Sequence, residues 1–181
     1  MGENNVTDIL LSTADYGAQL AAVFHSYLLT AEKVPSGLEG AVNILDATVM
    51  TLKQILKFLR EKHEKPLFNE NGLQYIGILI SECATTLAKI EPAIDEAYLP
   101  RQEREALQKK KRKLVFKNLA TVVDPLVLKL DEKELLEKIE RTKWAIAIDD
   151  VDDCTERLYE LQLHLHLISQ VGSLVLLSRD T

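Results

Sequence analysis

The side chains able to do chemistry are few: four histidines, two cysteines, an acidic run at 149–153 and a basic block between Arg101 and Lys117. His164 and His166 stand two apart on a helical stretch, about 200° from each other around the axis. They do not share one metal ion, since helical zinc pairs need a spacing of four. His25 and His63 fall in other segments, with no acidic or cysteine partner three or four residues away. A structural or surface role is therefore the expectation for all four histidines. Cys83 and Cys154 both fall at apolar seam positions, where a thiol packs as a small hydrophobe and stays inert. Neither has a local base or helix start to lower its pKa and make it a nucleophile.

The acidic residues Asp149, Asp150, Asp152 and Asp153 do not form a calcium loop, because the sixth-position glycine and the twelfth-position glutamate are missing. They are expected at a helix N-terminus, where carboxylates offset the positive end of the dipole. No glycine-rich phosphate loop and no G-x-S-x-G elbow occurs. The expectation is a protein that is not an enzyme, with no catalytic, metal-binding or cofactor-binding residue and no cofactor. An enzyme or carrier would instead need a polar cavity lined by residues such as Asp15, His25 or Glu82.

The basic block is the most uneven feature of the chain. Arg101, Arg104, Lys109, Lys110, Lys111, Arg112, Lys113 and Lys117 face only Glu103 and Glu105. The block carries a net +6 within a chain of net −6, which leaves −12 on the remainder. Beside Leu114, Val115 and Phe116, such a cluster can hold anionic lipid head groups at about 1 kcal/mol per basic residue. Lys109, Lys110, Lys111, Arg112, Lys113 and Lys117 are the candidate contacts for a lipid or a protein partner. An import signal and a solvated connector helix are the alternatives, and a nucleic-acid partner is not expected.

The elements that must position these groups read as helices. Leu38, Val42, Leu45, Val49, Leu52, Leu56 and Leu59 step by four and three, with polar residues between them. Ser36 and Glu39 after Pro35 predict a capping box at the start, and Pro66 a stop. The same stepping recurs at Leu73, Ile76, Ile80, Cys83, Leu87, Ile90 and Ile94, with Pro92 expected to kink or end that helix. It appears again at Val151, Cys154, Leu158, Leu161, Leu165, Ile168, Gly172 and Val175. The opening segment carries Val6, Leu10, Gly17, Leu20, Phe24 and Tyr27 on one face and further apolar residues on others, so it is expected to be the most buried helix. Between Pro100 and Ile148 the sequence predicts a basic helical connector over about 100–117, a break near Asp124 and Pro125, and a short helix opened by Asp131 and Glu134.

The chain has 181 residues, 46% of them hydrophobic, with five prolines and seven glycines. That fits one domain and argues against disorder or a loop-rich β fold. Four or more apolar seams are satisfied together by an all-α antiparallel helical bundle of four to six helices spanning 1–181. The segment Ile9 to Leu29 is long enough to span a bilayer, but Asp15, Gln19 and His25 oppose insertion. Val6 stands where a myristoylation site needs serine or threonine. With two cysteines and no basic-then-apolar leader, the cytoplasm is the expected compartment, with recruitment to membrane through the basic block.

The Ala-rich opening helix (Val6 to Ala31), the Leu38 to Leu59 helix, the Lys143–Trp144 pair and the Leu-rich segment Leu158 to Leu177 together resemble the HeLo-like N-terminal domain of fungal STAND-type and ankyrin-repeat proteins. The most characteristic piece is Leu135 to Leu177, where a short helix bearing Trp144 leads through an acidic turn into the last helix. The resemblance implies a helical effector or signalling domain placed ahead of a nucleotide-binding and repeat region. It also implies a role in programmed cell death and heterokaryon incompatibility through self-association and membrane targeting. The plan is similar, too, to the killer domain of mixed-lineage-kinase-like proteins. By that analogy Lys109 to Lys113 would contact phosphoinositides. The expected partners are therefore a second copy, an anionic membrane, or a protein surface such as the repeat region or a downstream helix. A helical adaptor module without membrane activity is the alternative, with Leu163, Leu167, Leu174 and Leu176 as its candidate surface.

Overall fold

A computed structural model of the chain describes residues 3–61, 67–100, 103 and 124–178. Among the described residues the fold is all-α, with no strand. The described residues form six α-helices in order: α1 (Glu3–Thr30), α2 (Leu38–Arg60), α3 (Glu70–Leu87), α4 (Ile90–Tyr98), α5 (Glu132–Arg141) and α6 (Trp144–Leu177). A 3-10 turn, Pro125–Val127, precedes α5.

Two adjoining core clusters give the helix directions. In the first, Val6, Leu10 and Ala14 of α1 meet Leu52, Ile55 and Leu56 of α2, Ile76, Ile80 and Cys83 of α3, and Leu161 and Leu165 of α6. In the second, Leu20, Phe24 and Tyr27 of α1 meet Leu38, Val42 and Leu45 of α2, with Val151 and Leu158 of α6. There α3 gives way to α4 and α5, which contribute Ile90, Ile94, Leu135 and Ile139. Helices α1 and α3 thus run one way and α2 and α6 the other. Helix α1 packs on α2 and α3, and α6 packs on the same pair. The predicted seams form these cores: Leu38 to Leu56 of α2, Ile76 to Ile94 across α3 and α4, and Val151 to Leu165 of α6 are buried at each seam position.

Several boundaries differ from the sequence reading. Helix α2 starts without the predicted serine cap: its N-cap is Gly37, in the left-handed region at φ 91°, and no side chain caps it. A backbone turn that only glycine adopts cheaply takes the place of the capping box. The Asp152 carboxylate of α6 stands beside that turn, its Oδ1 3.3 Å from where a Cβ on residue 37 would lie. It sits at the positive end of α2, where the dipole favours an anion. Helix α2 ends at Arg60, ahead of Pro66.

The seam from Leu73 to Ile94 breaks at Ala88 and Lys89, and Pro92 lies in the first turn of α4, where a missing amide donor costs nothing. Helix α5 starts as expected, with the Asp131 carboxylate accepting from Glu134 N at 3.0 Å. The acidic run is not a helix start. Helix α6 is continuous from Trp144, so Asp149 to Asp153 lie in its second and third turns, on a side left largely to solvent. Nor is α1 buried more completely than α2. Each buries one side, and α1 turns Ala22, His25, Ser26 and Leu29 outward, where no helix among the described residues covers that face.

Three tethers fix the end of the bundle that carries α4 and α5. Trp144 Nε1 donates to Tyr27 Oη at 3.0 Å, with the two rings 5.6 Å apart. Lys138 Nζ of α5 donates to Asp95 Oδ1 of α4 at 2.8 Å and to Glu134 Oε1 at 2.7 Å. Tyr16 Oη of α1 donates to Glu91 Oε2 of α4 at 3.4 Å. At the other end α6 approaches α2 closely enough that a Cβ at Gly172 would stand 3.0 Å from the Phe58 ring.

Candidate interaction surface

The groups read as candidate chemistry are held apart. His25 lies on the exposed side of α1 and pairs with Asp46 of α2, Nε2 to Oδ2 at 2.8 Å, a partner that sequence proximity could not indicate. His166 Nε2 meets Gln170 Nε2 at 2.9 Å on exposed α6, and His164 lines a groove between α3 and α6. His63 lies outside the described residues. Among the described residues, no group of three or more His, Cys, Asp or Glu side chains is placed to hold a metal ion. Asp15 is exposed and Glu82 pairs with Arg157, so neither lines a polar cavity with His25.

Cys83 is fully buried, and burial pushes its thiol up to about 12. Cys154 is buried as well, and its thiol is raised for the same reason, with Lys89 opposing. Neither is a thiolate at neutral pH. Cys154 borders a cleft of about 430 Å³ between the α3–α4 corner and α6, lined also by Lys89, Glu96, Asp150, Asp153 and Arg157. Charges of both signs with no activated nucleophile among them give this cleft no catalytic constellation.

The polar network of α1, α4 and α5 is structural in form. Burial, with Asp95 nearby, raises the Glu91 carboxyl above the usual range. Hydrogen bonds that the Lys138 ammonium donates to the Asp95 and Glu134 carboxylates raise its pKa. Burial, helped by Glu91, raises the Tyr16 phenol. Each shift favours the protonated form in the folded chain, and the hydrogen bonds among these groups join three helices.

A surface remains on α6 that a folded monomer does not use. Leu163 is 50% exposed, Leu167 63%, Val171 53% and Leu174 64%. The spacing of four, four and three keeps them on one face within about one quarter of the helix circumference. Tyr75 and Ile78 of α3 are also half exposed, and Tyr75 lines the α3–α6 groove together with Phe68, His164, Leu167, Ile168 and Val171. That groove holds about 230 Å³ and is almost wholly apolar in lining. From Leu161 to Leu177 the helix has no Asp, Glu, Lys or Arg. Three of the leucines expected at a partner surface are thus exposed, whereas Leu176 is half buried. The sequence reading missed Val171 and Tyr75. The signal for Val171 was its place four residues beyond Leu167. The contribution of α3 depends on how two distant helices pack.

The basic candidates Lys109, Lys110, Lys111, Arg112, Lys113 and Lys117 lie outside the described residues. No helix among the described residues is long and apolar enough to cross a membrane. No family model, curated protein or solved structure matches the chain.

Proposed function

We propose that this chain is a non-enzymatic helical effector or signalling domain, of the kind its HeLo-like sequence features resemble, and that it works by association. The observation that carries this reading is the apolar face of α6 and α3. A bundle that has already buried its seams keeps Leu163, Leu167, Val171 and Leu174 in contact with water, and exposed apolar surface of this extent marks an interaction site. The absence of charged side chains from Leu161 to Leu177 supports it, since the cores of interfaces are depleted of charge. On the same reading the chain acts in a fungal STAND-like programmed-cell-death or incompatibility response, with the apolar face as the associating surface.

A second reading, attachment to anionic membrane, is favoured by the net +6 of Arg101 to Lys117. The two readings are compatible, because the basic block and the apolar face are separate stretches of chain.

Inducible expression in a filamentous fungus, scored for growth arrest and dye uptake, tests the first reading. Growth arrest by the chain, relieved by Leu167→Glu with Leu174→Glu at equal abundance, is the expected result. Growth unaffected by the unsubstituted chain at high abundance overturns it.

A further inference from the structure

We propose that the junction of α1, α4 and α5 is a proton-operated clasp: Glu91 holds a proton while α5 is seated and releases it as α5 lets go, so that α5 is held more firmly at mildly acid pH than at neutral pH and above. The clasp is independent of the association described above, since none of its groups lies on the apolar face of α6.

Helix α5 has little to hold it. It is ten residues long and buries only Leu135 and Ile139, and a helix of that length is marginal by itself. It belongs to one of the two core clusters, whereas α1, α2 and α6 run through both. It can therefore leave its seat without parting the long helices. Its polar hold on α4 is Lys138, whose Nζ bridges Asp95 and Glu134.

Acid outnumbers base at this junction. Glu91 is half-buried in the first turn of α4. Asp95 stands one turn further along the same helix, and Glu134 and Lys138 act on Glu91 from α5. From α1 comes Tyr16, 3% exposed, whose Oη donates to Glu91 Oε2 at 3.4 Å. The segment entering α5 adds Lys129, Asp131, Glu132 and Lys133 around an open recess beside Glu91, with the Asp131 carboxylate engaged on Glu134 N. Helices α3 and α6 also pack on α4, and none of their charged groups is among those that act on Glu91.

With Glu91 ionised, three carboxylates share one ammonium and one phenol at a site partly closed to water, a setting in which one carboxyl keeps its proton. Burial first, and then Asp95, accordingly raise the Glu91 carboxyl above the usual range, against the opposing pull of Lys138 and Tyr16. Unseating α5 hydrates Glu91 and returns it toward the ordinary carboxylate range. The proton is thus bound more tightly in the seated state. Its contribution is complete below the ordinary carboxylate range and is lost as pH rises through the raised folded value. Lys138 and Tyr16 are raised as well, so both stay protonated between pH 5 and 8 and the change is carried by Glu91.

Hydrogen–deuterium exchange of the full chain, read by mass spectrometry from pH 5 to 8 and corrected for the intrinsic exchange rate, tests this. Amides of α5 should lose protection as pH rises, while those of α2 keep theirs. Glu91→Gln, a neutral side chain of the same shape, should abolish that loss and leave α5 at pH 8 as protected as it is in the unsubstituted chain at pH 5. Lys138→Met should lower the protection of α5 already at pH 5. Protection of α5 that is constant from pH 5 to 8, or a loss shared equally by α2, overturns the proposal. So does the same loss in Glu91→Gln, or an α5 that Lys138→Met leaves as protected as before.

Discussion

The buried Cys83 thiol makes the stability of this fold depend on alkaline pH in a way that one substitution isolates. Cys83 has no exposed surface and sits in the cluster formed by Val6 to Ala14, Leu52 to Leu56 and Leu161 to Leu165. Its folded pKa is pushed up to about 12 from an ordinary value near 9, first by burial and then by Glu82. Because the folded value is the higher one, the thiol's contribution is fully present below pH 9 and is lost as pH rises toward 12. Between pH 9 and 11 the unfolded chain gives up the proton and the native chain keeps it. At 1.36 kcal/mol per unit, that interval costs the native state about 3 kcal/mol. Cys83→Ala removes the titration and leaves a cavity near one methylene in size, worth about 1 kcal/mol. The variant is therefore expected to be less stable than the parent at pH 7 by about 1 kcal/mol and more stable at pH 11 by about 2 kcal/mol. Urea titrations in reducing buffer at pH 7, 9, 10 and 11 read this directly. Tyr16 and Lys138 add alkaline losses of the same sign, but they are common to both chains and cancel in the difference. Parallel stability curves with no crossing between pH 9 and 11 would refute the assignment of Cys83 as a buried, protonated thiol.

Trp144→Phe removes the hydrogen bond from Nε1 to Tyr27 Oη and should cost about 1 kcal/mol, with Tyr27→Phe costing a similar amount and the pair costing less than the sum, as measured by chemical denaturation. Gly172→Val places side-chain atoms against the Phe58 ring and should lower stability by about 1–3 kcal/mol, which calorimetry would register as a drop of several degrees in Tm; an unchanged Tm would mean that α2 and α6 separate freely at that level. Replacing Lys109 to Lys113 by glutamate should abolish co-sedimentation with phosphatidylserine or phosphoinositide vesicles at low salt, at about 1 kcal/mol per residue, with helicity retained; undiminished binding would remove the basic block from the membrane reading.

The seams of this bundle were legible because a spacing of four and three has one physical cause, a helix with one buried side. The positions from Leu38 to Leu56 and from Val151 to Leu165 could be assigned to the core without knowing what they touch. Helix ends were less legible. The start of α2 uses a left-handed backbone at Gly37, with Asp152 beside it from more than a hundred residues away, whereas Ser36 and Glu39 offered a plausible local cap that the chain does not use. The acidic run misled for a related reason: carboxylates suit a helix start, but they are tolerated equally on an exposed side within a helix, and α6 begins at Trp144. Of the candidate surface, the α6 leucines could be seen as residues outside the seam. Tyr75 could not, because nothing in the local pattern of α3 says which of its exposed residues lie beside Leu167.

Helices α1 and α6 each run through both core clusters, α6 as an unbroken rod of about 50 Å. Neither cluster owns a set of helices that it could keep if the other melted. The molecule is in this respect a beam and not a pair of hinged blocks. Loss of either half withdraws the supports of its neighbour, so unfolding is expected to be all-or-none. The exposed leucines near one end of α6 and Trp144 at its start, where it meets Tyr27, thus belong to one continuous helix.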